Sequence, residues 1–233
     1  MLRLARAGLV AMAVLGATQL IATTASAHTY IVGKKEVKGT EVFKVEGTNG
    51  IVNSKEEVGP DTGGWELESK IAGVEVLLRC EAGKMKDEIE KEGLSKAGES
   101  VYEVCSISEI KEGKDTFLKA CTVPNVHVKM NDSIIAGAGG TAEIEFQPGS
   151  SKLFGEVEIT GSACSIKGTY KLESATEGKG QICSSVGGEV EVVRHVFTCP
   201  PTGSEEIRLG SEKAGQAYFL TTKLETGTSW YFE

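Results

Sequence analysis

Aromatic residues make up only 6% of this 233-residue chain, with 5 prolines and 3 histidines. Three imidazoles leave few combinations for a histidine metal site. So few prolines exclude a stiff proline-rich linker. No C-x-x-C pair occurs, the close spacing that zinc sites use. The G-x-S-x-G elbow is missing too, which removes that class of serine hydrolase. Beyond residue 27 no run is long and apolar enough to cross a bilayer as a helix. Neither sign of charge is gathered into blocks, although 33 Asp and Glu outnumber 25 Lys and Arg, for a formal net charge of -8. That balance argues against nucleic acid or an anionic membrane surface as partner. Interspersed charges read as a solvated surface.

The chain does begin with a marked feature. Residues 1–27 have a basic start (Arg3, Arg6), an apolar stretch over 7–21, and Ala25-Ser26-Ala27 before His28. This is the three-part layout of a cleaved secretory signal. It predicts a secreted, extracellular product with no stable membrane insertion after cleavage. It also makes His28 the first mature residue.

After the leader the sequence alternates. Trp65, Leu67 and Ile71 alternate with Glu66, Glu68 and Lys70, and Ala142, Ile144 and Phe146 alternate with Glu143 and Glu145. Period two places one set on a core face and the charged set in water. Turn-forming clusters rich in Gly, Ser, Asn and Pro separate the runs, as at 59–64, 137–140 and 148–151. The only helix candidate, residues 84–96, has Met85, Ile89 and Leu94 too sparsely set for an apolar stripe. The pattern predicts an all-β fold, an antiparallel β-sandwich or open barrel of many short strands stabilised by disulfides. Residues 28–64 read as an N-terminal hairpin or arm and 65–233 as the main β domain. The most linker-like stretch inside it is 131–140 (NDSIIAGAGG).

Cys80, Cys105, Cys121, Cys164, Cys183 and Cys199 form an even set in an exported chain, which predicts disulfides. Connectivity does not follow from sequence. The equal separations of Cys105 from Cys121 and of Cys183 from Cys199 suggest those two pairs, leaving Cys80 with Cys164.

Candidate chemistry is thin, and no cofactor is expected. A mature N-terminal His28 could bind Cu(II) through its amine and imidazole, with His127 or His195 supplying a third nitrogen. On a strand, however, His127 shares the polar face with Lys129, and His195 shares a face with Val193, Phe197 and Cys199. Residues 137–142 (GAGGTA) carry the letters of a dinucleotide fingerprint but lead into a strand pattern instead of a helix. Asn131-Asp132-Ser133 is a glycosylation sequon by letters alone. The glutamates could supply a glycosidase pair, yet their alternation marks a solvated sheet face. Trp65 and Trp230 read as core anchors.

Residues 65–80 (WELESKIAGVEVLLRC), 164–170 (CSIKGTY) and 220–230 (LTTKLETGTSW) carry a resemblance. In these patches the chain resembles a group of uncharacterised secreted, disulfide-containing β-rich proteins of soil actinobacteria. The resemblance implies export, disulfides, a β fold and no enzymatic assignment. Taken together, the expected function is a secreted non-catalytic surface, matrix or binding module with an extracellular ligand or cell-surface component as partner. The alternatives are a copper-binding or copper-oxidase protein centred on His28 and a carbohydrate-active hydrolase using a carboxylate pair.

Overall fold

The structure, a computed structural model, describes residues 29–38, 42–50, 65–90, 93–137, 142–186, 191–199 and 207–232. The expected leader, with His28, lies outside the described residues. Among the described residues there is no helix, and the all-β antiparallel expectation holds.

Four long strands organise the molecule: β5 (Val74–Ile89), β6 (Leu94–Lys111), β8 (Val126–Ala136) and β15 (Glu212–Leu224). Each remaining position around the sheet is filled by two shorter strands that use successive stretches of the same edge. Between β5 and β15 these are β3 (Phe43–Gly50) and β4 (Trp65–Ile71). On the other side of β15 lie β13 (Arg194–Cys199) and β14 (Ile207–Leu209). Next come β12 (Gln181–Val186) and β11 (Gly168–Ser174), then β9 (Ala142–Pro148) and β10 (Leu153–Ile159), which pair with β8.

The pairings therefore close twice. One circuit runs β15-β13-β12-β9-β8-β6-β5-β3, and the other runs β15-β14-β11-β10-β8-β6-β5-β4. Each has eight antiparallel strands and shares the four long ones, so the sheet is a closed barrel lengthened by end-to-end strands. Closure removes most exposed sheet edge. The short edge strand β7 (Lys114–Phe117) hangs on β6 outside the circuits.

Local sequence explains the tight corners. Ala72-Gly73 and Glu112-Gly113 have positive φ at both positions and close two-residue hairpins at Ile71↔Val74 and Lys111↔Lys114. Two left-handed residues match the twist of paired strands. The inner faces are packed by Trp65, Leu67 and Leu78 along β4 and β5, and by Ile144, Phe146 and Phe197 in the other circuit. Trp65 stacks on Tyr102 with centroids 4.5 Å apart, and its Nε1–H donates to Gln216 Oε1. Both tryptophans are buried, as core anchors should be.

The described residues of the segment 28–64 form three strands. β1 (Tyr30–Val32) and β2 (Lys35–Glu36) pair as a hairpin, and β1 also pairs with β16 (Trp230–Phe232). β3, from the same segment, is built into the barrel wall. The helix candidate at 84–96 is the end of β5 and the start of β6. The linker-like stretch continues β8 as far as Ala136, paired with β9.

The tentative disulfide pairing is corrected. Cys80 bonds Cys105 and Cys121 bonds Cys164, so neither Cys105–Cys121 nor Cys80–Cys164 forms. β5 and β6 set Cys80 directly opposite Cys105, with Cα atoms 4.0 Å apart. Cys121 and Cys164 lie in two loops drawn together by the Thr122↔Thr160 bridge. Cys183 is also disulfide-bonded.

Candidate functional site

The histidines do not converge among the described residues. His127 is exposed on the outer face of β8, 3.9 Å from a Glu99 carboxylate oxygen. His195 is fully buried on β13, its Nε2 2.7 Å from the Trp230 carbonyl and its ring 4.0 Å from the Trp230 ring. Burial lowers its pKa. Among the described residues no group of three or more His, Cys, Asp or Glu is arranged to hold a metal ion.

The chemistry that the fold does gather is a pair of buried aspartates. Asp87 on β5 and Asp132 on β8 are each 5% exposed, although an isolated buried carboxylate is among the costliest groups to place in a core. They belong to strands separated by β6. A register shift bridges the gap: β6 slips against β5 between Lys86 and Glu88, and against β8 between Ser95 and Gly98. Such a bulge bends a strand and re-aims side chains. Gly98 sits in it, and a Cβ there would press on the Met130 carbonyl and approach Asp87 Cγ at 3.4 Å. Glycine thus leaves room for the two carboxyls to meet above β6.

Each carboxyl has defined partners. Ser95 Oγ donates to Asp87 Oδ2 and the Glu88 N–H donates to Asp87 Oδ1 at 2.7 Å. Tyr30 Oη, from the small sheet of β1, β2 and β16, donates to Asp132 Oδ2 at 2.7 Å. Burial raises Asp87 well above the ordinary carboxyl range, and the neighbouring Asp132 adds to the rise. Burial also raises Asp132, against the opposing hydrogen bonds from Asp87 and Tyr30. Both carboxyls therefore favour the protonated form more than an exposed aspartate does. Asp132 Oδ1 is buried with no hydrogen-bond partner among the described residues.

The pair borders a cavity of about 10 Å³, the space of roughly one water molecule. Apolar groups dominate its wall, including Val45, Met85, Ile144, Phe146, Phe197 and Trp230. Two contacting carboxyls in so small a space leave no room for a sugar between them. Glycosidase pairs stand at least ~5 Å apart across an open site.

No known protein family, curated protein or solved structure matches this chain. What the site can do therefore rests on its own geometry.

Sequence reasoning missed both aspartates, though a signal was present. Met85-Lys86-Asp87-Glu88-Ile89 and Met130-Asn131-Asp132-Ser133-Ile134 share the pattern M-x-D-x-I. At period two, each aspartate takes the same face as the flanking Met and Ile, which is the core face. An acid at an apolar position of a strand is the observation that marks this site.

Proposed function

We propose that this chain is an exported, non-catalytic β-barrel that acts outside the cell as a surface, matrix or binding module. The observation that carries the reading is a closed, cross-linked barrel whose one described acidic pair is sealed inside. Disulfides Cys80–Cys105 and Cys121–Cys164 suit an oxidising compartment. No described helix is long and apolar enough to cross a membrane. The outer face alternates exposed Glu and Lys, leaving the surface itself to meet an extracellular ligand or cell-surface component.

Expression of the whole precursor in an export-competent bacterial host tests this. The product is expected outside the cytoplasm, beginning at His28, with a non-reduced mass about six daltons below the all-thiol value. It should also co-sediment with isolated cell envelopes or bind an extracellular component. A cytoplasmic product with an intact leader and reactive thiols would overturn the proposal.

A further inference from the structure

The small sheet of β1, β2 and β16 forms a cap whose Tyr30 and Trp230 line the cavity together with residues of the barrel wall. Its inward residues are aromatic: Tyr30 packs on Trp230 and Phe232 at 5.9 and 6.3 Å. Phe232 stacks on Phe197 of the wall at 6.4 Å. Both the first described strand and the last thus form the cap, held to the barrel largely by ring packing and by the Val192↔Trp230 bridge. One polar bond joins the cap to the barrel's acidic pair, from Tyr30 Oη to Asp132.

We propose that the Asp87–Asp132 pair is a proton-controlled latch for this cap. While the pair keeps at least one proton, no more than one charge sits in the apolar wall, the Tyr30 hydroxyl holds Asp132, and the cap is seated. When that proton passes to solvent, two negative charges face each other in an apolar wall. Separation of the strands, which lets water reach the carboxylates, then relieves the repulsion. The cap is the part able to yield, because β1 and β16 have three residues each whereas the wall strands bearing the aspartates have sixteen and eleven.

Among the described residues no cation borders the cavity to neutralise the second charge. The groups bordering the cavity are Val45 on β3, Met85 and Ile89 on β5, Ile144 and Phe146 on β9, Phe197 on β13, Thr222 on β15 and Trp230 on β16. Among the described residues the other titratable group on that wall is Tyr30, whose burial holds it well above its ordinary value and so protonated. His195, whose ring lies 4.0 Å from that of Trp230, has its pKa lowered by burial. The sign follows from the raised carboxyls. The latch is fully closed below about pH 4, the ordinary carboxyl value, and is lost as pH rises through the pair's higher folded value.

Hydrogen exchange of the full mature chain between pH 5 and 10 provides the test. Opening of β1 and β16 is referred to opening of β5 amides after correction for intrinsic exchange. The cap-to-wall opening ratio is expected to rise about tenfold or more across that range, one decade for each unit of pKa difference. In Asp87→Asn, whose neutral amide still donates to Asp132, the ratio should stay flat. Tyr30→Phe, which leaves both aspartates in place, should raise cap opening at every pH and uncouple it from the pair. A ratio independent of pH in the wild type overturns the latch. So does an unchanged pH response in either variant.

Discussion

At the scale of single residues, the buried acids show how far context overrides type. Asp87 and Asp132 occupy core positions because a neighbour compensates each: Ser95 and the Glu88 amide for one, Tyr30 for the other. Removing the Tyr30 hydroxyl leaves Asp132 short of a donor inside the barrel. Tyr30→Phe is therefore expected to lower unfolding free energy by about 1.5–3 kcal/mol, the usual range for a hydrogen bond to a charged group. Urea denaturation at neutral pH would measure it, and a loss below about 0.5 kcal/mol would count against the bond. Gly98 makes a second case. Gly98→Ala adds one methyl group, yet that methyl would meet the Met130 carbonyl and narrow the space Asp87 needs. A loss of about 1–3 kcal/mol is expected, with the bulge amides exchanging faster than those of the same strand outside the bulge.

At the scale of elements, alternation was readable wherever one face of a strand is plainly polar. β4 places Trp65, Leu67 and Ile71 inside as its pattern requires, and His127 falls outside with Lys129 as expected. Legibility failed where the period breaks. In β10 the ladder shifts between Leu153 and Gly155, and Phe154 turns inward although parity grouped it with Glu156 and Glu158. Residues 131–140 read as linker-like because Asn, Asp and Ser begin the stretch, but pairing with β9 holds 131–136 in β8, and β6 pairs with Asp132 and Ser133 on the other edge. The cysteine pairing was illegible for the same reason. Equal spacing is local, whereas the partners are set by which strands and loops the barrel brings together. Cys121–Cys164 clips two such loops across 43 residues. By loop-closure entropy its loss costs about 4 kcal/mol. The double variant Cys121→Ser/Cys164→Ser should show that drop in chemical denaturation, while retaining the wall strands' amide protection pattern.

At the scale of the whole molecule, two buried ionisable sites act on stability from opposite sides. The aspartate pair has raised folded pKa values, so its contribution is complete below about pH 4 and falls as pH rises through those values. His195 has a lowered folded pKa, so its contribution is complete above about pH 6.5 and is lost as pH falls through the folded value. Between these ordinary values the two oppose one another. Two substitutions separate the limbs. Asp87→Asn should lose stability relative to wild type near pH 5, where it replaces a well-seated proton, and gain on it steadily toward pH 9, where it removes one of two buried charges. His195→Gln should show the reverse dependence, gaining relative to wild type only as pH drops below about 6.5. Unfolding free energies of the three proteins at pH 5, 7 and 9 decide the matter. Parallel curves would mean that neither group titrates differently in the folded barrel. Crossing of the Asp87→Asn and wild-type curves would instead place the alkaline limit of this barrel at the carboxyl pair beneath its cap.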